Sequence, residues 1–152
     1  MYDPDIPGVG WRMHYDRLER VYRRLQAGNK SSIDYGDDLA HYFQDCLHLA
    51  DWIGRDETTG TDFKQLRKEV EADRALRDAA DLGNASKHFV RREGERHIYM
   101  TSNDVTVYAD PGRTSDISHV VTREDGTTFS AQDLVREAFD SWQLILKRHH
   151  LL

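Results

Sequence analysis

The sequence predicts a mainly α-helical (α+β) fold: a four-helix bundle-like core with a small antiparallel β insertion between helices 3 and 4. Apolar residues recur at helical spacing in three early segments and in one late segment. Between them, residues 95–129 hold short β-branched or aromatic runs separated by turn residues. Helices with one apolar side each pack around a shared core, so we expect a single domain over residues 1–152.

Helices 1 and 2 each carry one continuous apolar stripe. Pro4 and Pro7 cannot lie inside a helix, so residues 1–10 are expected to form an irregular lead-in. Helix 1 covers Trp11–Ala27, and helix 2 covers roughly Tyr35–Ile53.

Helix 3 has two apolar faces instead of one. Thr61 or Asp62 can cap its start, and it ends near Gly83-Asn84 or continues to His88. Its apolar residues fall into two sets about 110° apart on the helical wheel: Phe63, Leu66 and Val70, then Leu76, Ala79, Ala80 and Gly83. This change predicts either a bend near Asp73 or a helix buried on two sides.

The β insertion is predicted from three runs: Ile98–Met100, Val105–Tyr108 and Ile117–Thr122. Turn residues at 102–104, 110–112 and 125–126 separate and follow these runs. Ser130 then opens helix 4 in a variant of the capping box, with Asp133 in the place usually taken by Glu.

Composition excludes several classes of protein. The net charge of −6, with 32% charged and 38% apolar residues, disfavours binding of nucleic acid over the whole surface but allows a local basic patch. Apolar runs fall short of the ~18–20 residues that span a bilayer, and the first residues do not resemble a secretory signal. The single cysteine, Cys46, excludes an internal disulfide and a cysteine-based zinc module. We therefore expect a cytoplasmic protein.

Helix 2 presents a second stripe opposite its apolar face. Its members are the predicted binding residues His41, Asp45, His48 and Trp52. Carboxylate and imidazole groups at this spacing could hold a metal, with Asn84 and His88 as further ligands. The alternative is structural: His48 makes a buried hydrogen bond and Trp52 packs. We predict no metal and no cofactor.

The end of helix 3 concentrates the predicted catalytic residues, Asn84, Lys87 and His88. An imidazole transfers protons near neutral pH, a lysine stabilises developing negative charge, and an amide positions a ligand. The alternative is a helix C-terminus, where these residue types cap the chain and neutralise orphan carbonyl groups.

Helix 1 carries a row of arginines, which Arg91, Arg92 and Arg96 continue later in the chain. The row consists of Arg12, Arg17, Arg20, Arg23 and Arg24. Basic rows near aromatic residues can hold RNA or phosphorylated ligands. In an acidic protein, we favour a solvated helix face paired with carboxylates.

Two motifs resemble a pattern found in small uncharacterised bacterial proteins. The motifs are Gln44-Asp45-Cys46, His48-Leu49 and Asp51-Trp52 in helix 2, and Asn84 with Ser86-Lys87-His88 in helix 3. The similarity covers about Tyr35–Trp142. Helix count and the His-bearing helix end also resemble the HEPN-like superfamily, helical bundles common in toxin–antitoxin and phage-defence systems.

The HEPN-like resemblance implies a metal-independent ribonuclease in which His88 transfers the proton. Such nucleases place an Arg four to six residues before the His; in this chain Arg91 and Arg92 precede His97 at that spacing, whereas no Arg precedes His88 at that spacing. We therefore expect an intracellular domain that binds or cleaves RNA or another phosphate-bearing ligand. The alternative is a non-enzymatic interaction module or accessory subunit, with a protein partner or a second copy of the chain.

Overall fold

A computed structural model of the chain describes residues 10–27, 32–87, 98–106 and 116–152. Side chains are described at 10–27, 34–84, 98, 100 and 119–152. The expected lead-in and the 110–112 turn lie outside these residues, except for Gly10.

The described elements confirm a mostly helical fold with a small antiparallel sheet between its last two helices. In chain order they are α1 (Trp11–Ala27), α2 (Ser32–Arg55), α3 (Phe63–Ala72), α4 (Arg74–Lys87), β1 (Tyr99–Thr106), β2 (Asp116–Thr122), β3 (Thr128–Ser130) and α5 (Ala131–Arg148). A single 3-10 turn, Glu57–Thr59, joins α2 to α3. None of the described helices is long and apolar enough to cross a membrane.

Predicted helix 3 is two helices that meet at Asp73, as the change of apolar face indicates. Asp73 has extended backbone angles (φ −81°, ψ 120°), so it ends α3. Its carboxylate then accepts a hydrogen bond from the backbone N–H of Leu76 at 2.9 Å, which caps the start of α4. The break lets Leu66 of α3 and Leu76 of α4 both reach the core.

The sheet has the strand order β1-β2-β3, with both neighbours antiparallel. The predicted turn at residues 102–104 is wrong. The register shifts there between Ser102 and Asp104, so one continuous strand holds an irregularity in place of a turn. The turn at 125–126 is confirmed: Gly126 has a φ of 85°, and its N–H bonds to the carbonyl of Arg123 at 2.9 Å.

β3 was not predicted, because three residues are too few to show a strand pattern. Ser130 is the N-cap of α5, as expected, and accepts a hydrogen bond from the N–H of Gln132 at 3.2 Å. Asp133 forms a salt bridge with Arg136.

One apolar cluster joins the five described helices to the sheet. Trp142, Tyr42 and Phe43 are its largest fully buried side chains. The hydroxyl of Tyr42 donates to the carbonyl of Val135 at 2.8 Å, so the centre of α2 is tied to α5. Cys46 is buried in this cluster, and burial raises the pKa of its thiol, which makes it part of the core and not a nucleophile.

Candidate functional site

Two residues of the second stripe of α2, Asp45 and Trp52, contact α1. Asp45 is buried and accepts a two-point hydrogen bond from the guanidinium of Arg17 on α1, with Nε to Oδ2 at 3.0 Å. Trp52 stacks on His14, also on α1, with ring centroids 3.9 Å apart. Asp45 and Trp52 therefore hold α1 against α2, and of the structural alternative for this stripe the packing of Trp52 is observed.

His14 lies in this contact between α1 and α2, next to Trp52 and Arg17. It is 9% exposed, and its Nδ1 lies 3.4 Å from a guanidinium nitrogen of Arg17. Among the described residues, its Nε2 has no hydrogen-bond partner. Burial lowers the pKa of His14, the charges of Arg17 and His48 lower it further, and the charge of Asp45 opposes them. His14 is therefore neutral at physiological pH.

Asn84 lies level with the middle of α2. A Cβ atom on the preceding residue, Gly83, would be 2.6 Å from the carbonyl oxygen of Phe43 and 3.2 Å from the Cα of Gln44. At 1.5 Å per residue, His48 lies roughly 7 Å from Phe43 along the helix. His41 is exposed and His48 is half-buried, on either side of this level.

The other predicted catalytic residues fall largely outside what the structure describes. Lys87 is described only as the last residue of α4, and His88, Arg91, Arg92 and Arg96 lie outside the described residues. Within the described part of the chain, no three His, Cys, Asp or Glu residues are grouped so that they could share a metal ion.

Four of the five arginines in the row on α1 are paired with carboxylates, as the acidic composition predicts, whereas the exposed Arg20 forms no ion pair among the described residues. The pairs are Arg12–Asp16 at 3.1 Å, Arg17–Asp45, Arg23–Glu19 at 2.5 Å and Arg24–Asp38 at 3.1 Å. These ion pairs offset most of the positive charge of the row.

A second group of arginines lines a cleft of about 570 Å³, which we call the arginine cleft. One wall is the start of α4, and the facing wall is the turn between β2 and β3. The charged residues that line it are Arg74, Arg77 and Asp78 on α4, and Arg123, Glu124 and Asp125 on the turn.

Arg123 and Asp78 form a structural pair inside this cleft. Nε and a terminal nitrogen of Arg123 donate to Oδ2 of Asp78 at 3.0 and 2.9 Å. The side chain of Asp78 is 1% exposed and that of Arg123 is 21% exposed. The guanidinium of Arg123 also lies 3.9 Å from the centre of the Phe129 ring. Its charge is therefore neutralised, and its position is fixed.

Arg74 and Arg77 differ from Arg123 because both are exposed. Among the described residues, neither forms an ion pair or a side-chain hydrogen bond. Side chains three residues apart on a helix are neighbours, so the two guanidinium groups face the same ligand space. The arginine cleft thus offers two cationic, hydrogen-bond-donating groups that form no ion pair among the described residues, opposite the carboxylates of Glu124 and Asp125.

The carboxylate of Asp125, on the facing wall, accepts hydrogen bonds from within its own turn. Its Oδ1 accepts hydrogen bonds from the hydroxyl of Thr127 at 2.7 Å and from the N–H of Thr127 at 2.9 Å. These bonds lower the pKa of Asp125, and the charges of Arg123 and Arg74 lower it slightly further. Asp125 is therefore ionised at neutral pH.

No pattern in the sequence indicated the arginine cleft as a whole. Arg74 and Arg77 follow a helix cap, while Arg123 is separated from them by more than forty residues of sequence. From the sequence alone, only the three-residue spacing of Arg74 and Arg77 could indicate two arginines on one helix face.

No protein-family model, no curated protein and no solved structure matches this chain.

Proposed function

We propose that the protein binds RNA or another phosphate-bearing ligand in the arginine cleft. The observation that carries this proposal is the pair Arg74 and Arg77, two exposed guanidinium groups that form no ion pair among the described residues, on the wall of a cleft of about 570 Å³. A cleft of this size fits a small ligand or one unit of a larger ligand.

Guanidinium chemistry favours a phosphate over other anions here. Each guanidinium donates parallel N–H groups that match two oxygens of a phosphate. The buried pair of Arg123 and Asp78 holds the cleft floor in place without adding net charge.

Two of the predicted catalytic residues, Asn84 and Lys87, lie on α4, the helix that carries Arg74 and Arg77. Arg77 and Asn84 are seven residues apart in α4, so they lie on one face, roughly 10 Å from each other along the axis. A ligand held by Arg77 and extending along this face passes Asp81 before it reaches Asn84. We therefore retain His88 as the proposed proton-transfer residue of a metal-independent, HEPN-like ribonuclease.

Binding tests the first part of the proposal. Fluorescence anisotropy of a short 5′-phosphorylated RNA should show saturable binding by the wild-type protein. Replacing Arg74 and Arg77 together with Gln should weaken binding at least about tenfold, since it removes two charge-assisted contacts. The control variant carries Arg23→Gln and Arg136→Gln, which remove the same charge from exposed local pairs. Equal affinity of the wild-type protein and the Arg74/Arg77 variant would overturn the proposed site.

Cleavage tests the second part. The wild-type protein and His88→Ala are incubated with mixed RNA in EDTA. Cleavage by the wild-type protein alone supports a metal-independent ribonuclease that uses His88. Binding without cleavage, in EDTA or with added divalent metal, leaves a phosphate-binding protein. Neither binding nor cleavage would favour the interaction module.

A further inference from the structure

We propose that the arginine cleft selects a phosphate-bearing ligand that also carries an amino group, and that Glu124, on the turn between β2 and β3, accepts a hydrogen bond from that group. For RNA, this means a preference for cytidine or adenosine over uridine. The inference rests on the proposed function and deepens it, because it names the part of the ligand that the wall facing Arg74 and Arg77 recognises.

The charges that line the cleft are separated into two walls of opposite sign. The lining holds three arginines and three carboxylates, so its formal net charge is zero. One residue of each sign belongs to the structural pair of Arg123 and Asp78. The two remaining arginines lie on α4, and the two remaining carboxylates, Glu124 and Asp125, lie on the turn. An anionic group of a ligand therefore fits the wall of α4, and a hydrogen-bond donor fits the wall of the turn.

The two walls face each other but do not close on each other. Hydrogen bonds from Thr127 are the largest cause of the lowered pKa of Asp125, and the charge of Arg74 on the opposite wall adds to them. Arg74 is thus near Asp125, yet the two form no ion pair among the described residues. The space between the opposite charges is open to a ligand that carries both kinds of group.

Hydrogen bonds hold the wall of the turn in a fixed position. The backbone N–H of Arg123 donates to the carbonyl of Thr127, and the N–H of Gly126 donates to the carbonyl of Arg123, both at 2.9 Å. The side chain of Arg123 then ties the turn to Asp78 on α4. Because these contacts set the spacing of the two walls before a ligand binds, the site is preorganised.

Glu124 is the carboxylate that the turn leaves available to a ligand. Asp125 already accepts two hydrogen bonds from Thr127 through its Oδ1. Glu124 is exposed, and among the described residues it forms neither an ion pair nor a side-chain hydrogen bond. A carboxylate accepts hydrogen bonds and donates none, so Glu124 favours an N–H group and repels a carbonyl oxygen.

Cytosine and adenine carry such a donor where uracil carries an acceptor. Their exocyclic amino groups donate to Glu or Asp side chains, whereas uracil has a carbonyl oxygen at the corresponding position. A cleft of about 570 Å³ fits one nucleotide unit. A cytidine or adenosine unit with its phosphate on the arginines and its base towards the turn satisfies both walls, and a uridine unit satisfies only one.

The experiment compares ligands that differ in this exocyclic group of the base. One pair is an oligocytidylate and an oligouridylate of equal length, which tests an RNA strand. The other pair is CMP and UMP, which tests a free nucleotide. Affinities are measured at neutral pH and fixed salt concentration, by anisotropy for the RNAs and by calorimetry for the nucleotides.

We expect the cytidine member of at least one pair to bind at least about fivefold more tightly than its uridine counterpart. Glu124→Gln should bind both members equally, because an amide both donates and accepts hydrogen bonds. Glu137→Gln is the matched control, since it removes the same charge from an exposed position on α5 outside the cleft, and it should keep the preference. The Arg74→Gln/Arg77→Gln variant should bind both members more weakly.

The outcomes separate this inference from the proposed function. Equal binding of the cytidine and uridine ligands, lost in the Arg74/Arg77 variant, would overturn the selection for an amino group and leave the phosphate site in place. A preference for cytidine that survives in Glu124→Gln, or that Glu137→Gln loses as strongly, would overturn the role of Glu124. No binding of any of the four ligands would overturn both proposals.

Discussion

Gly83 of α4 touches the backbone of α2 at Phe43. A Cβ atom on Gly83 would lie 2.6 Å from the carbonyl oxygen of Phe43, closer than real Cβ contacts allow. Backbone atoms cannot move aside as a side chain can, so this position requires glycine. This contact fixes the position of α4 along α2, and with it the positions of Arg77 and Asn84.

Gly83→Ala should destabilise the protein by at least about 2 kcal/mol, because the added methyl group forces the two helices apart. Gly36, in α2, is the matched control, since a Cβ atom there meets nothing within 4 Å. Gly36→Ala should stabilise the protein by about 0.5–1 kcal/mol. Urea unfolding of both variants measures the difference, and similar stabilities would contradict the close helix contact.

Arg17→Ala should cost about 2 kcal/mol, because it leaves the buried carboxylate of Asp45 without its guanidinium. Arg23→Ala removes an exposed pair with Glu19 and should cost about 0.5 kcal/mol or less. Urea unfolding at neutral pH compares the two. If the two losses were equal, Arg17 and Asp45 would not fasten α1 to α2.

Stability should fall as the pH drops below about 6.5, because two buried histidines have lowered pKa values in the folded protein. Burial is the largest cause for both His14 and His119. A lowered folded-state pKa means that the unfolded chain binds the proton first. The stabilisation is therefore complete above pH 6.5 and is lost as the pH falls through the folded-state pKa values.

Free energies of unfolding at about pH 7.5 and about pH 5.5 test this, with His14→Gln and His119→Gln as variants. Each variant should show a smaller loss between the two pH values than the wild-type protein. Glu69 stays ionised in this window, because burial raises its pKa but the hydrogen bonds from Arg148 and His149 lower it overall. An unchanged pH dependence in both variants would contradict the assignment.

Cys46 should be inert in the folded protein. It is 3% exposed, and burial raises the pKa of its thiol. A disulfide-exchange reagent should label the native protein only as fast as the protein unfolds, and it should label the protein rapidly in concentrated urea. Rapid labelling under native conditions would show that the core around Cys46 opens.

Local patterns predicted most of the helices. The apolar stripe of α1 gave the observed bounds, Trp11–Ala27, and the change of face near Asp73 indicated the break between α3 and α4. These features depend on residues within a few turns of each other. The predicted turn at 102–104 failed because polar residues are typical of both turns and strand irregularities, and only strand pairing separates the two.

The candidate site could be predicted less well because it depends on tertiary contacts. The polar stripe of α2 was visible in the sequence, but its partners His14 and Arg17 lie on another helix. Arg123 belongs to the arginine cleft only because the β2–β3 turn packs beside α4. Which arginines are neutralised, and which are open to a ligand, is decided by these contacts.

The most direct test of the central claim is an NMR titration that observes the Nε–H groups of the arginines as AMP is added. The signals of Arg74 and Arg77, assigned from the single Gln variants, should shift together and saturate with one affinity. Signals of paired arginines such as Arg23 should stay in place. Saturating shifts at other arginines, with those of Arg74 and Arg77 unchanged, would contradict phosphate binding in the arginine cleft.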